Sequence, residues 1–298
     1  MANNGIIWDE ISDAPPRVSE WQRFKRVFFG RKVVLFGTVI IAFLVLLAIF
    51  APWIAPYDPV KISLTERLQG PSWDHWLGTD NFGRDTLSRL IYGARTSLYV
   101  GLTSVGLASL VGMILGGVAA YYGGWVEAII MRFIDALLAI PVVVLALVIA
   151  ALLGGGMGNV IIALAISQLP QYARLMHGQV LSVKENDYIL AVKSLGANDF
   201  RILVHHLFTN SFSPLIVQFT LRLGSTILAE ASLSFLGLGI TPPTPAWGAM
   251  ISNGREYLQE LPIMSIAPGF VIMLVVFAFN MVGDGLRDAL DPRLRGRL

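Results

Sequence analysis

The chain reads as an all-α membrane protein with six transmembrane helices, and two observations carry that reading. Of its 298 residues, 55% are hydrophobic and only 14% are charged, against about a quarter charged in an ordinary soluble domain. Uncharged stretches also recur at the length a bilayer demands, roughly 20 mainly apolar residues for about 30 Å of hydrocarbon. A formal net charge of +2, with no dense run of Lys or Arg, gives no reason to expect a nucleic-acid partner. The absence of cysteine removes disulfides, thiolate metal sites and cysteine nucleophiles together. Adjacent His205 and His206 diverge on a helix and make a poor metal pair.

The first span runs from Val33 to Ala51, free of charge and closed by Pro52. More than thirty residues precede it and its apolar run exceeds that of a signal peptide, so it is expected to be a permanent span. The second is placed at Thr96 to Ala120, where Gly112 and Gly116 stand one turn apart and permit close approach of another helix. Beyond Tyr121 to Gly124 the third is placed at Val126 to Leu153, and the glycines from Gly154 to Gly158 turn the chain into a fourth, Asn159 to Met176. The fifth, Phe212 to Leu238, is the least apolar because it holds Arg222 and Glu230; the sixth is Ile263 to Val282. Pro141, Pro170, Pro214 and Pro268 lie within or at the ends of the last four spans, where each removes a backbone donor and can kink or start a helix.

Basic residues in short connections set orientation. Arg17, Arg23, Lys25, Arg26, Arg31 and Lys32 make residues 1–32 a cytoplasmic arm, and Arg287, Arg293, Arg295 and Arg297 make residues 286–298 a cytoplasmic tail. An even number of spans agrees with both. Residues 52–95 then fall outside, their cations interleaved with Asp58, Glu66, Asp74, Asp80 and Asp85. The remaining core, residues 96–285, includes an inside loop at 177–211 carrying Lys184, Lys193 and Arg201.

That loop holds the most informative string, NDYILAVKSLGANDFRILVHHLFTN from Asn186 to Asn210. Tyr188, Ala191, Val192 and Leu195 fall at i, i+3, i+4 and i+7, one stripe of a short helix. Gly196 follows where a helix commonly stops in a left-handed conformation, and Asn198 is suited to cap a second helix near Asp199. The stripe packs either on its own chain or in a groove of another protein. In the outside segment Gly78, Thr79, Asp80, Gly83, Arg84 and Asp85 suit tight turns and a local charge network, either to receive a soluble partner or to cover the span ends. Within the spans Arg132, Asp135, Arg222, Glu230 and Asn280 are functional candidates because polar groups are expensive there. Arg132 and Asp135 are spaced to pair; Glu230 either lines a cavity or makes an interhelical bond. No phosphate-cradling G-x-x-x-x-G-K-[ST] loop, H-E-x-x-H or G-x-S-x-G is present, so any ATP must be bound by another polypeptide.

The loop string resembles the cytoplasmic coupling loop of ABC importer permeases. GTDNFGRD, ASLSFLGLG, PPTPAWGAM and FNMVGDGLRDALDPRL are similar to strings of the C-type permease subunits of dipeptide and oligopeptide importers, in the same order from about Trp21 onward. This resemblance implies a type I importer permease fold in a bacterial plasma membrane. It implies a second homologous permease, two ABC ATPases that hold ATP and Mg, and an extracytoplasmic solute-binding protein as partners, with no cofactor on this chain. Asp187, Tyr188, Ala191, Lys193, Gly196 and Ala197 would then dock into an ATPase groove, with Asp187 near a position usually glutamate and Val192 at one usually alanine. Arg222, Glu230 and Asn280 are set on the translocation path as an expectation. Dipeptides, longer peptides, glutathione, nickel chelates and opine-like compounds are all handled by transporters of this resemblance. The alternative is an ion-coupled secondary transporter with Glu230 or Asp135 carrying protons.

Overall fold

A computed structural model describes residues 19–290, and among them helix is the only regular element; backbone pairing between strands is limited to one isolated bridge, Thr79 with Asp85. The helices are α1 (Glu20–Gly30), α2 (Lys32–Ile49), α3 (Ala51–Ile54), α4 (Thr86–Tyr122), α5 (Gly124–Leu138), α6 (Val142–Leu153), α7 (Met157–Lys184), α8 (Asp187–Ser194), α9 (Asp199–Arg201), α10 (Thr209–Phe235), α11 (Trp247–Gly254) and α12 (Ile263–Leu290). A π-helical stretch, Ile202–Phe208, joins α9 to α10 without a break. Arg17, Arg293, Arg295 and Arg297, used above for orientation, lie outside the described residues.

Among the described residues, four helical segments are long and apolar enough to cross a membrane: α2, α4, the run Asp199–Phe235 and α12. The expected third span is corrected. Val126 to Leu153 is not one helix but α5 and α6, bent by 92°. Pro141 explains the break, since its ring disfavours helix at the preceding residue and it has no N–H to donate; α5 stops at Leu138 and α6 restarts after Pro141. Pro170, Pro214 and Pro268 sit inside α7, α10 and α12 without ending them.

α7 occupies the place of the fourth expected span, and its 28 residues are long enough, but Asn159, Gln168, Gln171 and Arg174 make it less apolar than those four segments. Packing accounts for this. α7 lies along α4 and α10, and its Gln168 and Tyr172 are turned inward, away from lipid. The close α4–α7 contact depends on small residues: a Cβ added at Gly112 would meet Tyr172 and Leu169, and one at Gly116 would run into the Ala173 carbonyl. The main core, including Val105, Tyr172, Met176, Leu207, Ile227 and Val275, is contributed by α4, α7, the π-helical stretch, α10 and α12.

Candidate functional site: the elbow between α7 and α10

Local chemistry shapes the elbow. Asp187 occupies the first turn of α8 and Lys193 the last, each complementing the helix dipole. The end of α8 is a Schellman closure, with Gly196 N–H donating to Lys193 O at 3.0 Å and Ala197 N–H to Val192 O at 3.3 Å. That closure needs the left-handed backbone of Gly196, φ +82°. Asn198 Oδ1 then accepts the Arg201 N–H at 2.8 Å and starts α9.

The expected stripe is split. Ile189 is buried, and Val192 and Ala197 pack beside it on the core, whereas Tyr188, Ala191 and Leu195 face outward with Asp187, Leu190 and Lys193. The inward row therefore runs through Ile189 and Val192. The apolar run ILAV permits either register, and contact with the chain selects one. Leu195, 87% exposed, is one of the most uncovered large apolar side chains described.

Polar contacts fasten this unit to the long helices. Tyr121 Oη at the end of α4 donates to Asp199 Oδ1 at 2.6 Å. Lys184 Nζ, at the end of α7, donates to the Tyr121 and Ala120 carbonyls at 2.7 and 3.2 Å, satisfying acceptors that the α4 terminus leaves free. Asn210 Nδ2 donates to Tyr188 Oη at 3.0 Å, tying α10 to α8. Neither Tyr121 nor Lys184 was singled out from sequence, though Lys184 at the last turn of a helix had the right chemistry for a carbonyl cap.

The expected Arg132–Asp135 pair is also corrected. Asp135 of α5 pairs with Arg174 of α7, while His177 Nε2 of α7 lies 2.8 Å from Glu127 Oε1. Cross-helix partners were within reach, so the i,i+3 spacing did not decide the pairing.

The segment between α3 and α4 forms a compact buried charge cluster. Arg84 Nε donates to Asp80 Oδ2 at 2.7 Å, and Arg89 Nε lies 3.5 Å from the same oxygen. His75 Nδ1 lies 2.9 Å from Asp85 Oδ1, and the other Asp85 oxygen caps α4 by accepting from Ser88 N–H and Oγ–H, both at 2.7 Å. The Thr79 hydroxyl bonds the Glu66 carbonyl and accepts the Gln69 N–H. Gly78 and Gly83 take positive φ, and a Cβ at Gly83 would overlap the Ser63 carbonyl. Each buried charge has a partner, as burial requires.

Glu230 of α10 is fully buried between α10 and α4, held by Ser234 Oγ at 2.8 Å and Ser97 Oγ at 3.4 Å. Arg222 is half-buried, one helical turn from the Thr226 hydroxyl that bonds Gln168 Oε1 at 2.9 Å. Asn280 is exposed on α12, in the row Phe270, Met273 and Phe277. Among the described residues, no side-chain hydrogen bond or ion pair links the three.

Residues 108–296 match the family model of the binding-protein-dependent transport system inner membrane component. The chain belongs to that family. Residues 19–71 match a second model, the N-terminal transmembrane domain of oligopeptide transport permease C. The permease is 45% identical over 295 residues to the dipeptide transport system permease protein of Alkalihalophilus pseudofirmus, covering 97% of both chains. It is 44% identical over 296 residues to the glutathione transport system permease protein of Pectobacterium atrosepticum, covering 99% of this chain and 97% of that one. The same permease of Escherichia coli O157:H7 is 44% identical over 277 residues, 93% and 90% of the two chains. This chain is thus an integral inner-membrane permease subunit of an ABC importer.

Proposed function

We propose that the permease carries peptides or peptide-like solutes, with α8 as the handle through which two partner ATPases move it. A second homologous permease completes the pore, and an extracytoplasmic binding protein delivers the solute near the Gly78 to Asp85 element. In this reading α7 is the sixth crossing, shielded by its neighbours, and both chain ends are cytoplasmic. The relatives' names, dipeptide and glutathione permease, supply the substrate class. ATP and Mg belong to the ATPases.

The observation that carries the handle is a short helix whose outer face, Leu190, Ala191 and Leu195, is open, while its elbow follows directly on α7 and is tied to α10 through Tyr188 and to α4 through Asp199. An exposed apolar face on a rigid stalk suits a groove in a partner, and force applied to it reaches three long helices at once. Binding of ATP draws the ATPases together and the handles with them; hydrolysis releases them. A ligand shifts such an equilibrium only through contacts that differ between the two states.

The test is uptake by Ala191→Glu and Gly196→Pro variants present in the membrane at normal levels. The first puts a charge on the outer face. The second is incompatible with φ +82°. Both are expected to lose uptake and to lose crosslinking to the ATPase; normal transport by both would remove the assignment.

A further inference from the structure

We infer that α1 is an interfacial helix that binds anionic phospholipid headgroups through the row Trp21, Lys25 and Phe29 together with Arg26. Those three fall at i, i+4 and i+8, one line along the helix, and all three are exposed, Trp21 at 63% and Phe29 at 51%. The adjoining flank is used by the fold: Phe28 is buried, Phe24 stacks between Trp21 and Phe28 at 5.6 and 5.5 Å, and α1 packs on α12. Because one flank is committed to α12, the exposed row has a fixed direction.

Three observations choose lipid as its occupant. Continuity is the first: Arg31 adopts an extended backbone that ends α1, and α2 begins at Lys32 with Val33, Phe36 and Val39 outward, so the row runs into the apolar outer surface of a spanning helix. Chemistry is the second, since a cation between two aromatic rings, with Lys25 Nζ 5.1 Å from the Trp21 ring centre, is the pattern of the membrane–water boundary. Charge is the third. Arg31 is engaged by Asp288 of α12, which leaves Lys25 and Arg26 exposed with no ion-pair partner among the described residues. Phosphate headgroups of anionic lipids supply that partner.

The proposal rests on α2 being a membrane span, and its side of the membrane is tested separately. The complete transporter is reconstituted in phosphatidylcholine containing increasing fractions of brominated phosphatidylglycerol or brominated phosphatidylcholine. Trp21 emission is isolated as the difference between wild type and Trp21→Phe. Half-quenching is expected at a several-fold lower fraction of the anionic lipid. Lys25→Gln with Arg26→Gln is expected to merge the two curves, since each cation near an anionic surface contributes roughly fivefold in lipid preference. Lys25→Arg with Arg26→Lys, which keeps the charge, is expected to preserve the gap. Coincident curves in the wild type, or Trp21 quenched by neither lipid, would overturn the proposal. Labelling Ser19→Cys with a membrane-impermeant thiol reagent in spheroplasts reports the orientation independently, because quenching does not depend on which leaflet α1 occupies.

Discussion

Glu230 shows how a single residue in a span can be costly and yet settled. It is fully buried, and the hydroxyls of Ser97 and Ser234 are its side-chain partners among the described residues. Glu230→Gln keeps the volume and an acceptor, so it is expected to leave the assembled complex within about 1 kcal/mol of wild type, whereas Glu230→Ala strands both hydroxyls beside a cavity and is expected to cost about 2–4 kcal/mol. Thermal melting of the detergent-solubilised complex distinguishes the two. Transport normalised for assembled complex then tests the proposed place on the path: unchanged uptake by Glu230→Gln would make the residue structural. Asp80 presents the complementary case, one carboxylate between Arg84 and Arg89, all buried. Its replacement by Ala leaves two cations without their acid and is expected to destabilise by about 3–5 kcal/mol, visible as loss of protein from the membrane.

Among the elements, α8 is worth no more to transport than the contacts that join it to the bundle. Tyr121→Phe deletes the hydroxyl that holds Asp199 and leaves the ring in place. We expect severalfold more ATP hydrolysed per solute imported, with normal complex abundance, measured in proteoliposomes; an unchanged ratio would show that the link transmits nothing. The start, stop and cap of this unit were legible in the sequence because Gly196 and Asn198 act through their own backbone neighbours. Its facing was not, because Ile189 and Val192 turn inward only on meeting distant parts of the chain such as Ile202 and Leu203. The same division runs through the spans. Apolar length found α2, α10 and α12, but Asp135 chose Arg174 across a helix interface that no local spacing encodes. α7, carrying Gln168 and Tyr172 inward, is less apolar than the four segments that are long and apolar enough to cross.

For the whole molecule, the reading as one pore-forming half of an ATP-driven importer makes a clear energetic demand. Uptake in vesicles loaded with ATP is expected to survive a protonophore and to stop with vanadate; the reverse result would favour ion coupling through Glu230 or Asp135. The right-angle break between α5 and α6 adds a structural demand of its own. A helix that snaps in the middle of a bilayer presents carbonyls and amides that hydrocarbon cannot solvate, and irregular backbone at that depth survives only under protein or beside water. Ala139, Ile140 and Pro141, at the vertex, are uncovered in the isolated chain. If α5 and α6 together make one crossing, this polypeptide alone is an unfinished object in the membrane, and something proteinaceous or aqueous must shelter that corner.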